Sequence, residues 1–494
     1  MLAFVPMLVF YAWTDQRDVQ FWDIGEMQTV PWIYGIAHPT GFPLYTMFGW
    51  LFSHAIPLGS IAWRMSFFSS VAMCAAGWFV YRIVFEETGF AWIAVGASFI
   101  FGAGSVAWSR GTRADVHPLA IALEAAAVYT FLAWRRSGND RAFITGLALL
   151  GAALAVHPVA AFAAPAMIAL ALPQVRRLSR KTPALGAAAF LAPLAAYASI
   201  PLRGAVLYAQ RRDPTLTIGL PPGRPFWDYA HTQTLANFIW FVSGAQFHRE
   251  AGATGYTNLR VFGHTLALGR ALVVHDFGLS LAALAAIGLL FVSLRKPSFG
   301  IAFALLAVSV LPFAFSYAEE ADKERYALAT LFAVACLAGI GGAGAVVTLT
   351  RRAPRHRQAA SIVLAVLLTG VAGWHFYKAR NVIEINRDVL ARRYVEQVRA
   401  LTPADAIVIA DWTYATPLAY AAYAERSLGR RIVVAGTVDD MRGYLPTWSR
   451  HRCVVYVAGV KTQDRLALAL GGRAINASLP YLFALESCRP ERAL

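Results

Sequence analysis

The sequence predicts an α-helical polytopic membrane protein, with about eleven transmembrane helices and a small C-terminal α/β extracytoplasmic domain. Three observations predict it. The 494 residues are 58% hydrophobic and only 15% charged, whereas about 25% charged residues is usual for a soluble domain. Apolar runs of about 17–25 residues, the length that crosses a bilayer, recur down to residue 377. From about residue 402 they give way to short alternating elements.

Taken in order, the clear spans are 62–84, 90–108, 116–134, 183–200, 270–294, 299–317, 326–349 and 359–377. Residues 1–13 lack the basic n-region and small-residue cleavage site of a signal peptide, so they read as the first membrane helix. Residues 142–173 are long enough for two short spans broken at His157-Pro158. Splitting that segment places four arginine-bearing loops on one side: Arg135/Arg136/Arg141, Arg176/Arg177/Arg180/Lys181, Arg295/Lys296 and Arg351/Arg352/Arg355/Arg357. The positive-inside rule makes that side cytoplasmic. The net charge of +16 is therefore topology, and no basic helix with interleaved aromatics suggests nucleic-acid binding.

The opposite, outer side then carries 14–61, 109–117, 201–269, 317–325 and the tail. The expected division is a membrane domain at 1–377, a linker helix at 378–401 and an extracytoplasmic α/β domain at 402–494. Within the tail, Ala406–Trp412, Arg431–Gly436 and Cys453–Gly459 read as buried strands, with helices at 416–429 and 461–470. No glycine-rich nucleotide motif follows these strands. Asp439-Asp440 reads as a helix start. Cys74 and Cys336 fall inside spans, while Cys453 and Cys488 could pair in an oxidising compartment. Asn476-Ala-Ser478 fits a glycosylation sequon by a pattern common enough to arise by chance.

The first polar segment concentrates the chemistry. Asp23 and Glu26 are three apart, so on a helical turn both carboxylates face one way. With Trp22 beside it, such a carboxylate is open to partial desolvation and to tuning as a general base. The alternative is an acid that only caps backbone amides near Gly25. The segment His38-Pro-Thr-Gly-Phe-Pro43 is stiffened by two prolines and a glycine and leads into a helix at 44–56. His38 could bind phosphate, share a proton with Asp23 or satisfy a carbonyl. The nearby histidines lack a paired metal-ligand spacing, and no divalent metal is expected.

Three further outer segments offer charge: Arg110, Arg113, Asp115 and His117 before the fourth helix, Arg203 in Ile200-Pro-Leu-Arg-Gly, and Asp322-Lys-Glu-Arg325. Arginine suits phosphate through its two parallel donors. Each arginine singly reads as well as an interfacial anchor. Glu124 lies mid-span, where an ionisable group suggests either function or an interhelical partner. His157 and His275-Asp276 read as interfacial residues.

With those residues in view, the chain resembles a known group. Asp23-Ile-Gly-Glu26, Gly35-Ile-Ala-His-Pro-Thr-Gly-Phe-Pro-Leu-Tyr45, Trp63-Arg64 and Ser69 are similar to the N-terminal signature of a polytopic domain-of-unknown-function family. That family includes the protein O-mannosyltransferase of plexin-type receptor domains and is placed among GT-C membrane glycosyltransferases. The likeness continues through Ala114-Asp-Val-His117, Gly146–His157, Pro201-Leu-Arg203, Ala404-Asp-Ala406 and Asp411-Trp-Thr-Tyr-Ala-Thr-Pro-Leu418. The family usually has a glutamate and a tyrosine where this chain has Asp115 and His117.

The resemblance implies a GT-C-like architecture with an outward active site, a carboxylate in the first outer loop and a polyprenyl-phosphate sugar as donor. The expected activity is inverting transfer of a sugar, a hexose such as mannose, to a hydroxyl acceptor on protein or glycan. Asp23 is expected as general base, with Glu26 and His38 orienting hydroxyls. Arg113, Arg203 and Arg325 are expected on the phosphate, and Tyr45, Asp115 and His117 complete the substrate- and donor-binding set. The alanine- and arginine-rich composition suggests a bacterial inner membrane, with site and tail facing the periplasm. The rival expectation is a transporter or flippase coupled through Glu124, although no two halves of the chain match as inverted repeats would. A third is a non-catalytic assembly or sensor protein that binds partners through its tail.

Overall fold

The computed structural model describes residues 3–248, 254–317, 322–458, 473–476 and 481–484. The chain divides into two compact units, one of residues 1–15, 69–197 and 246–386, the other of 16–68, 198–245 and 387–494. One junction of that division falls at 386/387. The expected linker contains two helices, Asn381–Asn386 and Leu390–Leu401.

Among the described residues seven helices are long and apolar enough to cross a membrane: Ile61–Thr88, His117–Ser137, Thr182–Ala209, Leu259–Arg295, Pro297–Ser316, Lys323–Leu349 and Pro354–Lys378. An eighth is the bent pair Ala91–Ala103 and Ser105–Gly111. The other three elements of the expected eleven are shorter helical segments, Phe4–Thr14, Asp140–Val156 and Pro158–Ala171. At 11 residues, Phe4–Thr14 reaches only about 16 Å along its axis, short of a hydrocarbon core about 30 Å thick.

In the first unit Lys323–Leu349 is the central helix, with most of its apolar length buried. It crosses Leu259–Arg295 where Gly288 faces the Leu337 carbonyl and Gly341 faces the Leu284 carbonyl. Any side chain there would strike backbone, so small residues set the closeness of the crossing. Phe101, Trp108, Phe131, Trp134, Phe277 and Phe332 fill the core around it. At one end, Glu87 pairs with both Arg136 and Lys296, and Asp140 accepts from Ser179 N at 3.2 Å. Three of the four arginine-bearing loops thus meet at the same end, as the hydropathy reading requires.

The span expected at 90–108 is broken. Gly104 is extended (φ −56°, ψ 138°) and the two half-helices meet at 71°. A break inside a membrane leaves amides without partners. Here Asp276, buried beside its own helix's kink at Gly278, accepts from Ser105 Oγ at 2.5 Å and Val106 N at 3.5 Å. Asp276 is therefore a structural partner of the second half-helix rather than an ordinary interfacial residue, while His275 stays exposed beside it.

The second unit carries a five-stranded sheet of order β2-β1-β3-β5-β4, with β1 Ile407–Ala410, β2 Ile432–Ala435, β3 Val454–Ala458, β4 Arg473–Asn476 and β5 Tyr481–Ala484. β1 runs parallel to β2 and β3, with Ile407 opposite both Ile432 and Val454. Runs of Val and Ile buried on both faces explain these three strands. The antiparallel β4 and β5 were not anticipated. Thr437 and Asp440 form a capping box on Val438–Met441, the helix start read at Asp439-Asp440. Residues 461–470, Cys488 and part of the sequon lie outside the described residues. Arg392 ties the helix Leu390–Leu401 to Asp18 and Glu425, each at 2.6 Å.

Candidate functional site

Asp23 stands in the first turn of the helix Trp22–Ile33, where a negative charge is favoured by the exposed amides. Glu26 follows one turn later and is fully buried. The helix ends at Tyr34 in the left-handed conformation, with Tyr34 N donating to Pro31 O and Gly35 N to Val30 O. That reversal brings the chain back along its own helix. His38 N donates to Glu26 Oε1 at 2.8 Å, and His38 Nδ1 pairs with Glu26 Oε2. Gly41, at φ +86°, donates to His38 O at 2.7 Å and lets the chain turn into the helix Pro43–Ala55. His38 therefore partners Glu26, where the sequence allowed phosphate, Asp23 or a carbonyl.

The tail completes this group. Trp412 Nε1 donates to Asp23 Oδ1 at 2.9 Å. Its ring stacks on Phe226 at 5.5 Å and meets His38 edge-on at 6.1 Å. Gly25 makes the approach possible: a Cβ there would strike the Gln20 carbonyl and lie 3.0 Å from Thr416 Cβ. Asp23, Glu26 and His38 offer ligand atoms within 4.8 Å of one another, a spacing that a divalent cation could share, although both Glu26 oxygens are engaged by His38. Burial pushes the Glu26 carboxyl above its usual range, against the pull of His38 and with help from Asp23.

Arg203 serves the same helix from its far end. Its Nε donates to Tyr34 O at 2.6 Å and a terminal nitrogen to Ile33 O at 3.3 Å, with the guanidinium 5.0 Å over the Tyr34 ring. These are carbonyls that a helix terminus leaves unsatisfied. Tyr45 is buried on the next helix, 5.7 Å from the Phe68 ring.

The first unit gathers the other expected residues. Asp115 is buried; its Oδ1 accepts from His117 N at 2.8 Å and meets His117 Nδ1 at 2.6 Å, and its Oδ2 lies 3.4 Å from Arg110. Ser69 Oγ bonds both the amide and the carbonyl of Asp115. Burial opposes its charge, yet His117, Arg110 and Arg325 together hold the Asp115 carboxyl well below the usual carboxylate range. Arg110 also reaches Asp322 at 2.8 Å. Arg113 is buried and donates through Nε to Asn386 at 2.8 Å. Burial, with Arg110 close by, lowers it to about 10.

The His117 ring also lies 4.6 Å from His157, tilted by 41°, and 5.3 Å from Tyr326, over which Arg325 is placed. His117, Glu124 and Arg325 line a small cavity of about 10 Å³, room for about one water. Sequence reasoning missed Trp412, Asn386 and His157. The Asp411-Trp-Thr-Tyr motif was visible as a likeness, but nothing in it pointed to Asp23.

Comparison with known proteins adds to this geometry. Residues 23–179 match the family described as "Protein O-mannosyl-transferase TMEM260 N-terminal domain". The chain is 32% identical over 117 residues to Protein O-mannosyl-transferase tmem260 of Dictyostelium discoideum, covering 23% of this chain. It is 26% identical over 117 residues to Protein O-mannosyl-transferase TMEM260 of Mus musculus, covering 24% of this chain. The matched segment spans only 14% and 17% of those relatives' own lengths. ArnT from Cupriavidus metallidurans bound to undecaprenyl phosphate shares the fold over 99% of this chain and 98% of its own, with TM-score 0.61 and 12% identity. Its apo state gives 0.62 and 13% over 97% of each chain. The chain is thus a polytopic membrane protein whose residues 23–179 are similar to the TMEM260 N-terminal domain and which shares the fold of ArnT over nearly its whole length.

Proposed function

We propose that this chain is a membrane glycosyltransferase that moves a sugar, a hexose such as mannose, from a polyprenyl-phosphate donor to a hydroxyl acceptor with inversion. The observation that carries the reading is Asp23, half-buried in a first helical turn, oriented by Trp412 and one turn from the Glu26–His38 pair. The names of the matched relatives support transfer of mannose to protein, and the lipid bound by ArnT supports a polyprenyl-phosphate donor.

In this mechanism the acceptor oxygen attacks the anomeric carbon while Asp23 takes its proton. The bond from that carbon to the phosphate oxygen breaks, and the polyprenyl phosphate leaves with the negative charge. Glu26 and His38 orient hydroxyls beside the base. Arg113 and Arg325 stabilise the leaving phosphate, since fixed cations act where charge develops. Asp115, ionised beside His117, Arg110 and Arg325, supplies negative charge within this cation group. Arg203, with two nitrogens on the Ile33 and Tyr34 carbonyls, supports the helix that carries the base. Tyr45 stiffens the segment after His38. The positive-inside pattern supports an outer-face site, and the composition supports a bacterial inner membrane with site and tail in the periplasm.

General-base help is worth about 10²–10⁴ in rate, so Asp23→Asn should nearly silence transfer. The test is transfer of labelled mannose from polyprenyl-phosphate mannose to membrane or peptide acceptors, with wild type beside Asp23→Asn. Equal turnover in a folded variant removes Asp23 as base. No turnover from any polyprenyl-phosphate sugar removes the transferase reading.

A further inference from the structure

The proposed transfer makes no use of Glu124, although it stands mid-span on the helix His117–Ser137 and is 4% exposed. An ionisable group at that depth is costly unless something engages it. Among the described residues its carboxyl forms no hydrogen bond and no ion pair. Seven positions earlier on the same helix, His117 shows the matching feature. Its Nδ1 meets Asp115 Oδ1 at 2.6 Å, while its buried Nε2 has no hydrogen-bond partner among the described residues.

The two side chains share one helical face. Seven residues are two turns, about 10 Å along the axis. Helical side chains lean toward the N-terminus, so Glu124 reaches back toward His117. Both line the cavity of about 10 Å³, with Ala120 and Ile121 from the intervening turn and Val310 opposite as apolar walls. Arg325 lines it too, but no ion pair among the described residues joins it to Glu124. Room for one water, between two polar groups that need a partner, is what a buried water requires. An ionised Asp115 only accepts, so the proton of its bond to His117 sits on Nδ1 and Nε2 keeps a lone pair. His157, the ring beside it, has its own Nδ1 turned to Val159 N at 3.1 Å.

We infer that His117 Nε2 and the Glu124 carboxyl hold a single water between them, and that Glu124 is thereby a positioning residue for the Asp115–His117 pair. The water donates one hydrogen to Nε2 and the other to a Glu124 oxygen. That bond fixes the tautomer in which Nδ1–H stays on Asp115, because the partner of one ring nitrogen sets the proton on the other. The water site stands on geometry; its effect on transfer rests on the transferase reading.

The test follows the nitrogen NMR resonances of His117, assigned by their loss in His117→Gln, in full-length protein in lipid nanodiscs. Transfer of labelled mannose from polyprenyl-phosphate mannose is measured beside it. Wild type should show one tautomer, protonated at Nδ1, with Nε2 hydrogen-bonded. Glu124→Leu should shift the Nε2 resonance and lower kcat/KM about tenfold, the scale of one hydrogen bond. Its thermal stability should not fall, since an apolar side chain replaces a carboxyl at membrane depth. Glu124→Gln, whose amide oxygen still accepts from water, should restore both readouts toward wild type. Ala120→Val fills the cavity and leaves both polar groups in place, so it should reproduce Glu124→Leu even if that variant does not fold.

An Nε2 resonance unmoved in the folded variants Glu124→Leu and Ala120→Val overturns the water site. Glu124→Gln as impaired as Glu124→Leu overturns the bridge, because the charge itself would then be needed. A shifted resonance with kcat/KM unchanged overturns the positioning role. The expected resonances in a protein that transfers no sugar uphold the water site and fail the transferase reading instead.

Discussion

The group at Asp23, Glu26 and His38 and the group around Asp115 both place carboxylates beside histidines, on opposite electrostatic plans. Glu26 is buried with one histidine as partner and another carboxylate nearby, and its proton affinity rises. Asp115 is as deeply buried but has His117, Arg110 and Arg325 around it, and its proton affinity falls far below normal. Burial is common to both, so the neighbouring charges decide the sign. A carboxylate of the second kind stays ionised and organises cations. One of the first kind is moved toward the range in which protons are exchanged at working pH.

Several substitutions would break that contrast. The largest effect is expected at Asp115. Asp115→Asn leaves Arg110 with Asp322 alone and removes the charge that His117 and Arg325 face, and breaking a buried pair typically destabilises by about 3–5 kcal/mol. Thermal unfolding in detergent should show a marked loss, and a variant as stable as wild type would mean that Asp322 suffices as the counter-charge. Gly25→Ala comes next. Its new methyl group would press on the Gln20 carbonyl and Thr416, and overpacking of this kind costs about 1–3 kcal/mol. The same change should lower transfer, because Asp23 and Trp412 belong to the two elements forced apart.

Trp412→Phe keeps the ring against Phe226 and removes only the donor to Asp23. A hydrogen bond to a charged group is worth about 1.5–3 kcal/mol, so a fall in kcat/KM of about tenfold or more is expected, with a stability close to wild type. Unchanged kcat/KM would show that Asp23 is oriented by its own helix alone.

The smallest effect is one of pH. Glu26 has a raised pKa in the folded protein, so its favourable contribution is fully present below the ordinary carboxylate pKa and is lost as pH rises through the folded value. Glu26→Gln removes that dependence. The stability of wild type relative to Glu26→Gln should therefore fall as pH is raised from about 4 upward. A relative stability that rises with pH would mean that His38 outweighs burial and that the pair behaves like Asp115.

The acid–histidine group was legible in the sequence because its members lie within sixteen consecutive residues, 23–38, and helical spacing with a proline- and glycine-stiffened return sets their proximity. The partner that completes it was not legible. Trp412 and Asp23 are 389 positions apart, and no local pattern encodes a contact at that range. The cation group was visible only as scattered arginines. That, among the described residues, Arg110 is held in ion pairs and Arg113 is not, while Arg203 holds backbone carbonyls, depends on which groups the folded chain places opposite each fork. His157 looked interfacial because its ring contact with His117 joins two separate helical segments.

Hydropathy determined the apolar helical segments and the three parallel strands of the tail, and with the placement of the arginines the split at His157-Pro158, because transfer into lipid or core is a property of each short segment. It did not reveal the break at Gly104, since that span is apolar on both sides of it. Only the tertiary structure decided the break, for a helix can open inside a membrane only where another element satisfies its amides, and Asp276 comes from a distant helix. The grouping of residues 387–494 with 16–68 and 198–245 has the same origin: it follows from pairings such as Arg392 with Asp18 and Trp412 with Asp23, which exist only once the chain has folded.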